Sequence, residues 1–151
     1  MEIDIRAAVP LLFALFIFGC MAARPSALGV KDGKLSRCPR SPNCVSSQSE
    51  DRAHYVKPLE YTGTKEEAMK RIVAVIESMR RTKIVTKTND YLHAEFRSLI
   101  FRFVDDVEFY FDDKGNTIHM RSASRVGYSD LGVNRKRVER IREVFDAAVE
   151  K

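Results

Sequence analysis

Residues 91–124 alternate apolar and polar side chains through three successive stretches, and this constrains the fold more than any other feature of the chain. Successive side chains of a strand point to opposite faces. Leu92, Ala94 and Phe96 therefore share a face opposed to His93, Glu95 and Arg97. Val107, Phe109 and Phe111 oppose Asp106, Glu108 and Tyr110, while Ile118 and Met120 oppose His119 and Arg121. Strands are expected over 83–88, 91–98, 104–112 and 116–124, and residues 55–61 (YVKPLEY) are read as extended, with Pro58 marking an edge or irregular strand. Asn89-Asp90 marks one turn, and Asp113-Lys114-Gly115-Asn116 marks another, with Gly115 available for positive φ. A four-residue loop there pairs residues whose numbers sum to 229, so Glu108 faces Arg121 and Tyr110 faces His119. The connection Leu99-Ile100-Phe101-Arg102-Phe103 is unusually apolar for a loop, so either a strand runs into it or it packs down.

Helices flank these strands. Thr64 and Glu67 form a T-x-x-E capping box ahead of an apolar stripe of Ala68, Ile72, Val75, Ile76 and Met79. A second helix is expected from about residue 131 to 148, with Leu131, Val138, Ile141, Phe145 and Ala148 as its stripe. Asn134 falls in the middle of that stripe, where an unpaired amide costs on the order of 1–3 kcal/mol. The order helix, four strands, helix predicts an α+β domain of two layers. Its sheet is four-stranded and mainly antiparallel, with both helices on the apolar face. The charged face is then exposed to solvent and stabilised by ion pairs, with a polar groove as the functional alternative.

The N-terminus sets the compartment. The run from Ala7 to Phe18 is too short to span a bilayer comfortably and fits the apolar core of a signal peptide. It closes on Ile17-Phe18-Gly19-Cys20, which fits a lipoprotein cleavage box with Cys20 as acyl acceptor. Phe18 is large for the box, and Glu2 and Asp4 outweigh Arg6 where a positive bias is usual. A plain signal peptide, an uncleaved anchor and a cytosolic amphiphile are the alternatives. The expected organisation is a signal peptide over 1–19, a lipid-anchored tether over 20–36 and one domain over 37–151. Pro25, Gly29 and Gly33 lie in the tether. The expected location is the cell envelope, facing the periplasm, with the outer membrane favoured because Asp does not follow Cys20.

The chain carries a formal charge of +5, and removal of Glu2, Asp4 and Arg6 with the signal makes it +6. Such an excess suits anionic lipid head groups or another small anionic ligand, and it equally suits simple solubility. No nucleic-acid recognition motif is visible, and no nucleic-acid partner is expected. Cys38 and Cys44, six apart around Pro39 and Pro42, are most simply a disulfide in an oxidising compartment. A metal site would need more ligands nearby, and a nucleophilic Cys44 would need a base, for which His54 is the close candidate. No metal or cofactor is expected.

The segment 121–135 runs from strand end to helix start with serines, arginines, Gly127 and Gly132. It could hold an anion at a helix N-terminus. The candidate ligand-binding residues are Arg121, Ser122, Ser124, Arg125, Tyr128, Asn134 and Arg135, joined by Asp106 and Glu108. In the competing reading Ser129 or Asp130 caps the helix, Asn134 ties the loop down, and the arginines pair with Asp105, Asp106 or Glu108. On the binding reading, Arg125→Ala spares folding and loses the partner, whereas Asn134→Ala lowers thermal stability. The function expected is a non-enzymatic module binding a polar ligand or an envelope protein. The enzymatic alternative is a hydrolase of an envelope component, with Asp105, Asp106 or Glu108 as acid or base beside His93 or His119. A third, purely structural reading is a small tethered domain that stabilises a membrane complex, and it predicts an exposed apolar patch around 99–101.

Three blocks, CPRSPNCVSS (38–47), FRFVDDVEF (101–109) and RSASRVGYSDLGVNRKRVERIR (121–142), resemble the hallmark blocks of the domain-of-unknown-function family 1499. The resemblance spans nearly all of 38–145. That family occurs in bacterial envelopes and plastids, so the resemblance implies a secreted, often lipid-anchored protein. It further implies that the cysteine loop, Asp105, Asp106, Glu108 and the 121–135 segment belong to a shared pattern. It implies no activity, cofactor or catalytic residue.

Overall fold

The computed structural model describes residues 27–148. Cys20, the expected signal peptide and residues 20–26 of the expected tether lie outside them. The elements in chain order are β1 (Val30–Lys31), β2 (Lys34–Leu35), β3 (Cys44–Ser46), β4 (Leu59–Glu60), α1 (Lys65–Ser78), β5 (Thr82–Lys87), β6 (Tyr91–Arg97), β7 (Val104–Asp112), β8 (Thr117–Ser124) and α2 (Val133–Ala147).

The α+β class and the antiparallel pairing hold, but the main sheet has six strands, not four. Its order is β3-β8-β7-β6-β5, and β4 also pairs with β8. Strand β3 takes residues 121–123 of β8, and β4 takes residues 117–118. Two short strands thus share the outer edge of one long strand. Strand β3, at three residues, carries no period that a sequence can display, whereas β4 falls within the segment 55–61 expected to be extended. The expected register of β7 and β8 is observed, with Glu108 opposite Arg121 and Tyr110 opposite His119. In the turn between them, Asn116 rather than Gly115 takes the left-handed conformation, at φ +48°.

Both helices cover the apolar face. Helix α1 starts at the expected capping box, with Thr64 Oγ1 accepting from the Glu67 amide and the Glu67 carboxylate accepting from the Thr64 amide. It buries Ala68, Met69, Ile72, Val75 and Ile76. Helix α2 buries Asn134, Val138, Ile141 and Phe145. Two stripe positions are corrected: Leu131 precedes the helix and is exposed, as is Ala148. Leu131 sits at φ +54° in the turn that enters α2, which swings its side chain out of the stripe. The core joins these helix residues to Leu92, Ala94, Phe96, Val107, Phe109, Phe111, Ile118 and Met120 from the sheet.

The second sheet face departs from expectation. It is not open to solvent: His93 is 2 % exposed, Asp106 1 % and Glu108 0 %. The hairpin β1–β2 contributes to this cover. The Gly29 amide donates to Glu108 Oε1 at 2.8 Å, Gln48 bridges the Leu35 amide and the Gly33 carbonyl, and Leu35 is buried. Part of the segment read as tether is therefore folded structure from residue 29 onward.

Cys38 and Cys44 form a disulfide, with Cα atoms 5.6 Å apart. His54, the suggested base, instead hydrogen-bonds the Cys44 carbonyl through Nδ1 at 2.8 Å. The disulfide removes chain entropy from the unfolded state of a small loop that feeds directly into β3. Replacing both cysteines with serine should cost about 2 kcal/mol, read from the urea midpoint. An unchanged midpoint would mean that Pro39 and Pro42 already restrain the loop sufficiently.

Candidate functional site

The buried polar face is organised around two carboxylates on β7, one pleat apart. Asp106 accepts from both arms of the Arg125 guanidinium, Nε to Oδ2 at 2.8 Å and Nη2 to Oδ1 at 2.7 Å. Such a fork holds both charges in one geometry. His93 Nε2 lies 2.7 Å from Asp106 Oδ1, and against an ionised carboxylate it is the donor. Arg125 Nη2 also reaches Glu95 Oε1 at 2.6 Å. Glu108 is the second centre, accepting from Tyr91 at 2.8 Å, Arg121 at 2.9 Å and the Gly29 amide.

Strand register explains the convergence. Glu95 faces Asp106, His93 faces Glu108, and Glu108 faces Arg121, so alternate side chains of three neighbouring strands project together. Arg125 follows β8, and its amide donates to the Val104 carbonyl at 3.2 Å, which carries its side chain back over β7.

A second network sits where α2 starts. Asn134 is fully buried and fully used. Its Oδ1 accepts from Ser122 Oγ at 2.6 Å and Arg137 Nη1 at 2.6 Å. Its Nδ2 donates to the Asn43 carbonyl at 3.0 Å and to Ser124 Oγ at 2.9 Å. The Asp130 carboxylate accepts from the Gly132 and Asn134 amides, each at 2.8 Å, and so occupies the helix N-terminus that an anion would take. Arg137 continues to Asp105 at 2.5 Å and lies over the Phe96 ring.

These contacts set the electrostatics. Burial acts to raise the Asp106 carboxyl, but hydrogen bonds from Arg125 and His93 outweigh it and hold the group below its ordinary value of 3.8. Glu95 is likewise lowered from 4.5, with burial opposed by Arg125 and Arg97. Burial, then the Glu108 charge, pushes the Tyr91 phenol well above 10.0. The first two groups bind fewer protons folded than unfolded, so stability falls as pH drops below about 4. Tyr91 stays protonated in the fold while the unfolded phenol ionises, so stability also falls as pH rises above about 10. Thermal melts across pH should show both limbs, and the acid limb should shrink in Asp106→Asn.

Of the residues proposed to bind a ligand, Asp106, Glu108, Arg121 and Arg125 converge in the first network, and Ser122, Ser124 and Asn134 in the second. Arg135 stands apart, donating to the Ala53 and Tyr55 carbonyls, and Tyr128 projects into solvent. Sequence reasoning missed Tyr91, Arg137 and Asn43 as network members. Their only signal was proximity to positions already suspected, since Arg137 lies one helical turn after Asn134 and Asn43 precedes Cys44.

Among the clefts on the surface of the described residues are these three. One of about 240 Å³ lies beside the disulfide and is lined by Lys34, Arg37, Arg40, Glu50, Asp51 and His54 among others. One of about 230 Å³ lies between Pro42 and the start of α2, touching Arg135. The third, about 290 Å³, is lined by Arg81, Thr82, Lys83, Arg97, Ser98, Leu99 and Arg102. None of the three is lined by His93, Asp106 or Glu108. Among the described residues, no three His, Cys, Asp or Glu side chains gather as a metal site would require.

A family model described as a protein of unknown function (DUF1499) matches residues 34–145. The chain belongs to that family. No curated protein matches it. The DUF1499 match begins in β2 and ends at the last buried residue of α2. It takes in the disulfide, both buried networks apart from the Gly29 amide, and the apolar loop between β6 and β7.

Proposed function

We propose that this DUF1499 protein is an extracytoplasmic lipoprotein, anchored through Cys20, whose folded domain is a non-enzymatic binding module of the cell envelope. One observation carries the binding reading. Leu99, Ile100 and Phe101 are 70 %, 79 % and 73 % exposed on one loop, with Phe103 beside them half-exposed. Scattered exposed apolar residues are ordinary, but a contiguous set on one loop marks a contact surface. The hydrolase reading is the weaker one. Asp106 and Glu95 are locked to Arg125, whereas a general acid or base works best with a pKa near the working pH. The polar ligand first sought at 121–135 would also find its arginines paired internally.

The anchor and the contact surface are tested separately. Mass spectrometry of the protein taken from its own membranes should show an acyl mass on Cys20, and a free thiol there would refute the anchor. Oxidative footprinting of residues 99–103 should show protection in native membranes relative to the protein in detergent. Equal labelling would remove the contact surface.

A further inference from the structure

The apolar loop does not stand alone. Its base is stapled: the Ser98 amide donates to the Phe103 carbonyl at 2.9 Å, and the Phe103 amide donates back to Ser98 Oγ at 2.9 Å. Arg102 takes a left-handed conformation, φ +53°, and the Phe101 and Phe103 rings stack with centroids 5.5 Å apart. A loop closed in this way holds its apolar tip outward, away from a core already filled by the helices.

Cations ring the tip. Arg81, Lys83, Arg97 and Arg102 line the cleft at the loop's base, and no Asp or Glu lines it. Arg97 is shared with Glu95 at 3.5 Å, and Arg81 Nε donates to the Arg97 carbonyl at 3.2 Å. Lys83 and Arg102 have no carboxylate partner among the described residues. The contact between Arg125 and Val104 sets the β8–α2 connection at this same end of the sheet, and it presents exposed Tyr128 and Leu131.

We infer that this end of the domain docks on an anionic phospholipid surface, with Leu99, Ile100 and Phe101 entering the head-group boundary and the cations meeting phosphates. The inference rests on the binding reading above and names its partner. Charge complementarity favours lipid: an apolar tip inside a cationic collar is the pattern that interfacial membrane binding uses. Chain length favours it too. Ala27 lies seven residues after Cys20, a span of at most about 24 Å, so an acylated protein holds its domain against the bilayer.

The chain has no tryptophan, so Phe101→Trp gives a single emitter. The full acylated protein is placed in vesicles of phosphatidylcholine alone, or of three parts phosphatidylcholine to one of phosphatidylglycerol. In the anionic vesicles the emission should shift to the blue and be quenched by brominated acyl chains, with a much weaker effect in phosphatidylcholine alone. Lys114→Trp, in the β7–β8 turn at the opposite end of the sheet, should be unaffected. Adding Lys83→Gln and Arg102→Gln to the Phe101→Trp chain should lower its docked-to-free ratio about thirty-fold. Equal quenching in both vesicles would overturn recognition of anionic charge. No quenching in either, with footprint protection still seen in native membranes, would assign the loop to a protein partner and overturn the lipid proposal alone. Loss of protection in native membranes as well would overturn both readings.

Discussion

Arg125→Ala should lower folding stability by about 3–5 kcal/mol, because it leaves buried carboxylates without their cation. This reverses the expectation that the substitution spares folding. Asp106 and Glu95 keep their places in the fold after the arginine is gone, and their desolvation is then offset far less, through contacts such as those of His93 and Arg97. For a domain of this size the melting temperature should fall by roughly 10–20 °C. Removing both partners of the fork tests the cause. Arg125→Met with Asp106→Leu should recover part of the loss, since well-packed apolar replacements of a buried ion pair are often tolerated. A single Arg125→Ala variant that melts within a degree or two of the parent would show that the network contributes little, and would restore Arg125 as a candidate ligand-binding residue.

Asn134→Ala should be nearly as costly, about 2–4 kcal/mol, and for a different reason. No formal charge is lost, but the Asn43 carbonyl loses its Asn134 donor and the Ser122 hydroxyl loses its acceptor, in a site with no solvent access. Asn134 links the disulfide loop, β8 and α2, so its loss loosens three segments together. Asn134→Leu fills the space without restoring a hydrogen bond, and should remain at least 1 kcal/mol below the parent, a figure on the order of one unmade buried bond. Urea unfolding of the two variants separates the parts. Full rescue by leucine would mean that volume, rather than hydrogen bonding, sets the cost.

The features that could be read from the sequence are those with a repeating or local chemical cause. The Thr64–Glu67 box, the α1 stripe and the β7–β8 register follow from spacing alone, and all are observed. Asn134 was conspicuous because a polar residue had interrupted an apolar stripe. Strand β3 was not legible, because three residues have no period and pair only where β8 offers an edge, whereas β4 falls within the extended segment 55–61 that Pro58 marked as an edge or irregular strand. The hairpin β1–β2 hid among glycines that also suit a flexible tether. The covered polar face hid for a deeper reason. His93, Glu95, Asp106 and Glu108 alternate with apolar neighbours in the same way whether they face water or one another. The pairing of Arg125 with Asp106 was one of those the competing reading of 121–135 anticipated, whereas the Gly29 amide arrives from a distant part of the chain and nothing local announces it.

The hairpin β1–β2 also determines how the protein responds to mechanical load. It is the first paired element among the described residues, and each of its strands is two residues long. Tension applied at the N-terminus reaches the Gly29–Glu108 hydrogen bond before any strand of the main sheet. A hairpin of two-residue strands would then part before the longer ladders of β6 to β8. A pull transmitted through an anchor would thus uncover Glu108 while leaving the remaining fold intact, making the hairpin a mechanical fuse for the domain behind it.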